Sequence, residues 1–405
     1  MFMRLARVVR SFTSHLPTLA VAASVSIASI TSPLASTSSF VAGLWPEAQA
    51  MGVSRQAFEA SFAGYSPNPK VMELTRKQPE FSQTVADYIN KRVTGSQVGR
   101  GQRMRSEWAQ TLAGVEERYG VQAEVVLAIW GMETNFGSFM GGNNTIYALA
   151  TLTQNGYRES FFRKELLTAL RIVSDGHIQP SQMTGSWAGA MGHTQFMPSS
   201  FMQYAVDYSG DGTRDIWNSI PDALASTANY LRAHGWQAGE TWGYEITVPN
   251  GFNFEQAEQA GKLSLAQWQA LGVGRTNGRA FPRAGDTAEF YMPAGATGPK
   301  FLMLRNFDVI KRYNNSNSYA LAVGHLADRI LGTGGFATPW PSGDFALNSS
   351  QRADLQRLLS RNGFDAGPVD GRIGPKTRAA IRAYQRHVGL PVDGYASGLL
   401  LTRLR

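Results

Sequence analysis

The hydrophobic positions of this chain recur mostly at helical spacing. Apolar residues lie three and four positions apart over residues 108–119, and Gly120 follows them, as glycine commonly ends a helix. Residues Ala123–Thr134 form an almost uninterrupted apolar run that predicts a buried helix. The same spacing predicts helices over residues 161–174, 199–208, 220–234 and 319–331. The chain is therefore predicted to be mainly α-helical.

The pattern changes twice after residue 240. Short β-type runs at residues 244–248 and 289–292, separated by glycine and proline, predict a small β-containing insert on the helical body. Residues 333–347 lack periodicity and are rich in glycine and proline, which predicts a linker. Residues 348–405 return to helical spacing, with helices expected to stop near Gly363 and Gly389. We therefore expect a main domain over residues 36–332 and a small helical module over residues 348–405.

The first 35 residues have the pattern of an export signal. Arg4, Arg7 and Arg10 form a basic start, and a mostly apolar, uncharged stretch follows over residues 16–30. A membrane anchor is the alternative, but a span needs roughly 20 strongly apolar residues. We therefore expect cleavage, with release into the periplasm and no stable membrane anchor.

Composition excludes several classes of chemistry. The 405 residues include no cysteine, which rules out disulfides, thiolate metal sites and cysteine nucleophiles. The six histidines show no zinc-type spacing, and no GxSxG motif is present. Residues 348–405 carry 10 basic and 4 acidic residues, so this module is expected to bind an anionic polymer. Because the chain is expected to be exported, nucleic acid is the least favoured polymer.

Glu133 is the first candidate for catalysis. It follows an apolar run near the end of the predicted helix Ala123–Thr134, where partial desolvation would raise the pKa of its carboxyl group, as a general acid requires. The alternative is a helix-end glutamate that reaches solvent, which is the commoner case for an arbitrary glutamate.

A second candidate region, GSWAGAMGHTQFMPSS, is rich in small residues that permit close backbone approach, which would suit an extended polymer. Ser186 and Gln195 supply neutral hydrogen-bonding groups there, appropriate to sugar hydroxyls and amides. Tight internal packing, with Gln195 at the surface, explains the stretch equally well.

These two stretches, together with NYLRAHGW and KRYNNSNSYALAV, resemble the lytic murein transglycosylases of the membrane-bound transglycosylase B family over roughly residues 40–332. The resemblance implies a lysozyme-like helical fold and cleavage of peptidoglycan between N-acetylmuramic acid and N-acetylglucosamine, with a 1,6-anhydro product. It implies Glu133 as the catalytic residue. It also implies a glycan groove lined by Ser186, Gln195, Tyr230, Asn314 and Tyr319. For Tyr230 and Tyr319, core packing is the alternative.

The resemblance also implies that one carboxyl group suffices. Glu133 would protonate the glycosidic oxygen, the 2-acetamido group would stabilise the charge at C1, and Glu133 would then take the proton of the C6 hydroxyl. A conventional glycosidase needs a carboxylate pair, and the sequence offers no clear partner for Glu133. A hydrolysing muramidase and a catalytically silent wall-binding scaffold remain the alternatives.

The run from Asp207 to Thr213 has the spacing of a calcium loop. Oxygen ligands stand at the first, third and fifth positions (Asp207, Ser209 and Asp211), with glycine at the sixth and Thr213 at the seventh. Asn218 replaces the usual glutamate at the twelfth position, and Asp222 could fold back in its place. The resemblance implies a structural Ca²⁺ here and no organic cofactor, and the alternative is a metal-free Asx turn.

The tail DGRIGPKTRAAIRAYQRHVGLPVDG resembles the three-helix peptidoglycan-binding module of many wall hydrolases. The resemblance implies that residues 348–405 hold the enzyme on peptidoglycan glycan strands. A helical oligomerisation domain is the alternative.

Overall fold

The structure, a computed structural model, describes residues 33–76 and 83–405, with side chains from residue 37 onward. Most of the predicted export signal lies outside the described residues, and its last three positions fall in the first helix, α1 (Pro33–Ala50). Leu44 and Ala48 of α1 have no exposed surface and belong to the main core, so this helix is part of the folded body. No helix in the described part of the chain is long and apolar enough to cross a membrane.

The helical body surrounds one hydrophobic core. After α1 it contains α2 (Arg55–Phe62), α3 (Pro69–Arg76), α4 (Val85–Arg92), α5 (Gly95–Glu107), α6 (Ala109–Tyr119), α7 (Ala123–Thr134), α8 (Thr145–Gln154), α9 (Glu159–Ser174), α10 (Pro198–Tyr204) and α11 (Ile220–Ala233). Helix α7 lies at the centre, in contact with α5, α6 and α11.

An insert follows α11 and has its own hydrophobic cluster around Trp268. It contains β3 (Gly243–Thr247), α12 (Phe254–Gln259), β4 (Lys262–Ser264), α13 (Leu265–Ala270), β5 (Gly274–Arg275), β6 (Thr287–Tyr291) and β7 (Lys300–Met303). The five strands form an antiparallel sheet in the order β4-β6-β7-β3-β5. Two further helices, α14 (Arg305–Tyr313) and α15 (Asn317–Ile330), return to the body, where α15 packs against α7. The predicted β-containing insert is therefore confirmed.

The helix ends show how local chemistry fixes the elements. Gly120 ends α6 in the left-handed conformation (φ 70°), as its position in the sequence predicts. Helix α10 ends at Tyr204, four residues before the predicted end, because Ala205 is extended. Periodicity does not identify α8, whose apolar and threonine residues are buried on nearly every side.

The C-terminal module consists of α16 (Ser349–Arg361), α17 (Pro375–His387) and α18 (Gly398–Leu404) around a separate small core. It docks on the insert through Arg382, whose side chain is 8% exposed. The Arg382 guanidinium lies 3.3 Å from Glu255 and 2.5 Å from Glu258, both on α12. Near this ion pair, the carboxylate of Asp393 accepts the backbone N–H of Ala296 at 2.7 Å.

Residues 333–347, predicted as a linker, contain no helix or strand but pack against the insert and α15. The Phe336 ring stacks on His325 with centroids 3.9 Å apart. The Glu245 carboxylate accepts the backbone N–H groups of Ala337 and Thr338 at 2.7 and 2.8 Å. This segment is therefore fastened along part of its length.

Candidate active site

Glu133 is the penultimate residue of α7, and a tight turn follows it. The three residues after the helix, Asn135, Phe136 and Gly137, all have left-handed backbone conformations, with φ of 50°, 56° and 75°. The turn carries the Phe136 ring back onto the helix. A Cβ atom on Gly131 would lie 2.6 Å from that ring, so only glycine fits there.

Glu133 is partly buried among packed residues and keeps some contact with solvent. Burial raises the pKa of its carboxyl group from the ordinary value of 4.5 to about 7. The Tyr319 hydroxyl donates a hydrogen bond of 2.5 Å to Oε1, and this bond opposes the shift because it favours the carboxylate. The charge of Arg92 acts in the same direction as Tyr319. At neutral pH this carboxyl group is therefore poised between its two protonation states.

The sequence did not single out α4, which lies beside this carboxyl group. Tyr88 is half-buried, its pKa is raised by burial, and the charge of Glu133 adds to that rise. Arg92 sits over the Tyr88 ring, 5.1 Å from its centroid. The capping box of α4 gives no sign of this site, and α4 lies 41 to 48 positions before Glu133 in the chain. Only the packing of α4 against α15 therefore reveals its place.

The small-residue block, residues 185–200, packs against the turn that follows Glu133. Trp130 of α7 donates through Nε1 to Nδ1 of His193 at 3.0 Å, and the Thr134 hydroxyl contacts the His193 carbonyl at 3.1 Å. The same hydroxyl accepts the backbone N–H of Gly137 at 3.1 Å. A Cβ atom on Gly137 would lie 2.2 Å from the His193 ring. The ring of His193, which is 8% exposed, is therefore a structural support for the turn that follows Glu133.

Glycines in this block and at position 141 allow neighbouring backbone segments to pack closely against each other. A Cβ atom on Gly185 would lie 2.3 Å from the Ala190 carbonyl oxygen, and one on Gly141 would lie 2.0 Å from that of Gly185. Two short strands, β1 (Asn143–Asn144) and β2 (Thr184–Gly185), pair here. In the structure the close approach is between backbone segments of the protein itself. It matches the alternative of tight internal packing, which the sequence left open beside the binding of a polymer.

Ser186 and Gln195 both hold loops of this region. Ser186 Oγ accepts backbone N–H groups from Ala188 and Ala190 at 3.3 and 3.1 Å. Gln195, at φ 50°, donates from Nε2 to the Met140 carbonyl at 3.0 Å and to the Gly192 carbonyl at 2.9 Å. These contacts use the amide nitrogen of Gln195, and both side chains remain partly exposed.

The predicted residues Tyr230, Asn314 and Tyr319 lie on α11, at the end of α14 and on α15, respectively. Tyr319 is 3% exposed and bonds Glu133 directly. Tyr230 is 9% exposed, and its hydroxyl donates to the Arg312 carbonyl at 2.6 Å. Tyr230 also stacks on His234, with centroids 4.1 Å apart, so its described contacts are those of core packing. Asn314, which ends α14, is exposed.

Tyr313 was not anticipated from the sequence. Its hydroxyl donates to the Thr194 carbonyl at 2.7 Å, which joins α14 to the small-residue block. Burial raises the pKa of Tyr313, and the nearby charge of Glu133 contributes to that rise. Tyr313 lies six positions before Tyr319, and neither tyrosine belongs to a repeating pattern. The sequence therefore gives no signal that Tyr313 lies near Glu133.

The loop from Asp207 to Thr213 closes on itself. Asp207 accepts the backbone N–H groups of Gly210 at 2.6 Å and Gly212 at 2.8 Å. Asp211 accepts both the backbone N–H and the hydroxyl of Thr213, at 2.8 and 2.6 Å. These are the hydrogen bonds of Asx-type turns.

Asp222 reaches back to this loop from the first turn of α11 and has no exposed surface. Its two oxygens accept backbone N–H groups of Tyr208, Ser209 and Asp215 at 2.9 to 3.1 Å. Within residues 33–76 and 83–405, no three acidic or histidine side chains are grouped to hold a metal ion. The oxygen donors suit Ca²⁺ chemically, but the loop's own N–H groups occupy the carboxylates in the described geometry.

Comparison with known proteins adds family relationships to this geometry. The family model described as transglycosylase SLT domain matches residues 36–328, and the model for a peptidoglycan binding domain matches residues 348–404. Membrane-bound lytic murein transglycosylase B of Escherichia coli (strain K12) is 36% identical over 249 residues, which make up 60% of this chain and 66% of that protein. The matched region thus spans slightly less than two thirds of that relative.

Solved structures agree with this assignment. The crystal structure of SltB3 from Pseudomonas aeruginosa in complex with NAG-anhNAM-pentapeptide has a TM-score of 0.82 at 48% identity, covering 91% of this chain and 99% of that chain. The Escherichia coli lytic transglycosylase Slt35 in complex with calcium has a TM-score of 0.60 at 31% identity, covering 73% of this chain and 92% of that chain. The predicted fold class, a lysozyme-like helical domain with a small β-containing insert and a C-terminal module, is confirmed. Because the first model matches most of the chain, this protein belongs to the transglycosylase SLT domain family and carries a peptidoglycan binding domain at its C-terminus.

Proposed function

We propose that this protein is a lytic transglycosylase that cleaves the β-1,4 bond between N-acetylmuramic acid and N-acetylglucosamine in peptidoglycan and leaves 1,6-anhydromuramic acid ends. The observation that carries the proposal is Glu133, a carboxyl group with a pKa of about 7 at the edge of the core. A group with this pKa can both give and take a proton at neutral pH, which the reaction requires in turn.

Glu133 acts first as the acid. It protonates the glycosidic oxygen while the C1–O bond breaks, and the 2-acetamido group of the muramic acid stabilises the positive charge that develops at C1. Since the Tyr319 hydroxyl donates to Oε1, the second oxygen, Oε2, is the one that carries the proton to the substrate. The leaving sugar departs as an alcohol, and Glu133 becomes a carboxylate.

Glu133 then acts as the base. It takes the proton of the C6 hydroxyl of the same muramic acid as that oxygen bonds to C1, which closes the anhydro ring and restores the protonated carboxyl group. The Tyr319 hydrogen bond stabilises the carboxylate during the interval between the two transfers. Arg92 supports the same state through its charge.

We propose that Ser186, Gln195, Tyr230 and Asn314 line the groove for the glycan strand. The free Oε1 of Gln195 and the exposed amide of Asn314 suit the hydroxyl and acetamido groups of amino sugars. Tyr230 is nearly buried, so it would offer a sugar only the 9% of its surface that is exposed.

Digestion of purified sacculi tests the reaction. Mass analysis should show muropeptides whose muramic acid ends are lighter by one water than the reducing ends that a hydrolase leaves. Glu133→Gln should abolish their release, because the amide cannot donate or accept the proton. Reducing ends in place of anhydro ends would instead indicate a hydrolysing muramidase. No solubilisation by the wild type would leave only a wall-binding scaffold.

We further propose that the loop containing Asp207, Ser209, Asp211 and Thr213 holds a structural Ca²⁺ with Asp222. Two observations support the proposal, namely the all-oxygen donor set and the placement of Asp222 against the loop. The ion would neutralise the exposed carboxylates and stiffen the connection between α10 and α11. Calorimetric titration with Ca²⁺, repeated on Asp211→Asn, tests the site without depending on activity.

We propose that the chain is exported, that residues 1–35 are removed, and that the enzyme acts in the periplasm. N-terminal analysis of the mature protein tests the cleavage. Residues 348–405 would keep the enzyme on the wall and raise the local substrate concentration. Deleting these residues should weaken retention on sacculi more than turnover of short soluble glycans, and the opposite result would contradict the tether.

A further inference from the structure

The C-terminal module contains the same turn twice. The sequence Pro-Val-Asp-Gly occurs at residues 368–371 and again at residues 391–394. In each turn the aspartate N–H donates to the proline carbonyl at 3.1 Å, and the glycine is left-handed, with φ of 69° and 70°. A glutamine from the preceding helix binds each turn, Gln356 from α16 and Gln385 from α17.

The hydrogen bonds of the two turns correspond atom by atom. Gln356 Oε1 accepts the N–H groups of Asp370 and Gly371 at 3.1 and 2.9 Å, and its Nε2 donates to Asp370 Oδ1 at 3.1 Å. Gln385 makes the same three bonds to the second turn, at 3.0, 2.9 and 2.6 Å. In both turns the residue after the glycine donates its N–H to the same Oδ1 at 2.8 Å. Each turn is thus built to hold one aspartate with Oδ1 satisfied.

The two turns differ in what contacts the second carboxylate oxygen, Oδ2, of the aspartate. In the second turn, Asp393 Oδ2 accepts the backbone N–H of Ala296 at 2.7 Å. The segment that carries this N–H is Ala294-Gly295-Ala296, and a Cβ atom on Gly295 would lie 2.8 Å from the same Oδ2. The second turn therefore already binds a peptide of small residues by a backbone N–H, and that peptide belongs to the insert.

The first turn presents the same acceptor to solvent. Asp370 is exposed, and its hydrogen bonds within the described residues all go to Oδ1. Val369 beside it is 47% exposed, which offers an apolar contact for a methyl group. Arg372 and Lys376 are also exposed nearby, and the charge of Arg372 acts on Asp370. An N–H acceptor, an apolar contact and cations thus stand together on one surface.

We infer that the exposed turn at residues 368–371 is a binding site for the stem peptide of the wall, which Asp370 Oδ2 holds by a backbone N–H as Asp393 holds Ala296. The stem peptide fits because it offers amide N–H groups, alanine methyl groups and free carboxylates, the last of which pair with Arg372 and Lys376. This inference rests on the proposed wall function and specifies which part of the wall the module recognises.

The probe is the synthetic pentapeptide L-alanyl-γ-D-glutamyl-L-lysyl-D-alanyl-D-alanine, titrated into the full chain by calorimetry. Asp370→Asn should raise the Kd about 10-fold, because the acceptor that meets the peptide N–H is lost. Val369→Glu should have a similar effect while leaving the turn's hydrogen bonds intact, which guards against a folding defect in the first variant. The matched control is Asp393→Asn, which changes the identical turn at the docked position and should bind the peptide as the wild type does.

Hydrogen exchange of the full chain with and without the pentapeptide locates the site independently. Protection over residues 368–374 supports the inference. Protection elsewhere, unchanged affinity in both Asp370→Asn and Val369→Glu, or no binding to the wild type would overturn it. Binding of a peptide-free N-acetylglucosamine oligomer that these variants abolish would assign the turn to glycan instead and would also overturn it.

Cleavage of short soluble glycans separates this inference from the proposed function. Asp370→Asn and Val369→Glu should cleave them at the wild-type rate. If the wild type cleaves glycans but does not bind the pentapeptide, the inference alone fails. If the pentapeptide binds at residues 368–371 but no glycan is cleaved, the proposed reaction alone fails.

Discussion

Replacing Glu133 by glutamine should stabilise the protein relative to the wild type. This gain in the free energy of unfolding should be larger at alkaline pH than at acidic pH. The folded protein holds the Glu133 proton up to a pKa of about 7, whereas the unfolded chain releases it near the ordinary value of 4.5. Between these two values the unfolded state binds fewer protons than the folded state, so the free energy of unfolding of the wild type falls as the pH rises. Glutamine does not titrate and removes this dependence.

The size of the effect follows from the shift. Each pKa unit corresponds to about 1.4 kcal/mol, so the shift of Glu133 corresponds to at most about 3 kcal/mol between pH 4 and pH 8. Contact of the carboxyl group with solvent reduces this figure, and we expect about 2 kcal/mol. Glutamine keeps the hydrogen bond from Tyr319 through its amide oxygen, which makes it the best-matched replacement.

Urea unfolding of both proteins at pH 4 and pH 8 measures the difference. The gain of Glu133→Gln over the wild type should be larger at pH 8 by the stated amount. Asp328→Asn is a parallel test, because burial raises the pKa of Asp328 from 3.8 to about 7 with no role in the proposed reaction. An equal difference between Glu133→Gln and the wild type at both pH values would refute the claim that burial holds this proton.

Three further changes test the surroundings of the carboxyl group and the docking of the module. Tyr319→Phe removes a hydrogen bond that favours the carboxylate, so the pKa of Glu133 should rise. The alkaline limb of the pH profile of activity should therefore move up by about one pH unit, and kcat should fall. An unmoved limb would argue against the bond. Gly137→Ala should destabilise the protein by about 2 kcal/mol or more and lower activity, since alanine is strained at φ 75° and its Cβ would meet His193; thermal unfolding and sacculus digestion check both effects, and a wild-type Tm would contradict the geometry. Arg382→Met should loosen the docked module and speed proteolytic cleavage within residues 333–347, whereas Arg357→Met, which changes an exposed arginine of the same module, should not.

The sequence predicted those features that depend on local pattern. Ala123–Thr134 is a helix with the predicted bounds because its apolar run is a local signal. The insert was recognised for the same reason. Helix α8 was missed because a helix buried on nearly all sides has no polar face to give it a period.

The site could be predicted only in part. Glu133 was singled out by its apolar surroundings on one helix, but only the family resemblance favoured it over an ordinary solvent-exposed glutamate, and its catalytic role stays a prediction. The hydrogen bond from Tyr319 joins residues 186 positions apart, and the contact of Trp130 with His193 joins residues 63 positions apart. Such contacts depend on the packing of α15 and the small-residue block against α7, and no spacing rule encodes them. The linker prediction shows the same limit, since composition reveals the absence of helix or strand but not the contacts of Phe336.

The position of Glu133 within α7 supports the proposal that one carboxyl group serves both proton transfers. Met132 before it and Thr134 after it are 7% and 2% exposed, whereas Asn135 is an exposed residue. A carboxyl group at position 132 or 134 would be sealed from any substrate, and one at position 135 would be solvated and acidic. Position 133 alone in this last turn is desolvated enough to raise the pKa and open enough to reach a bound glycan. The negative end of the helix dipole adds to the shift at this place, so the turn that follows Glu133 must be held rigidly for the balance to persist. We therefore attribute the strict backbone demands at Gly131 and Gly137 to the placement of this one carboxyl group.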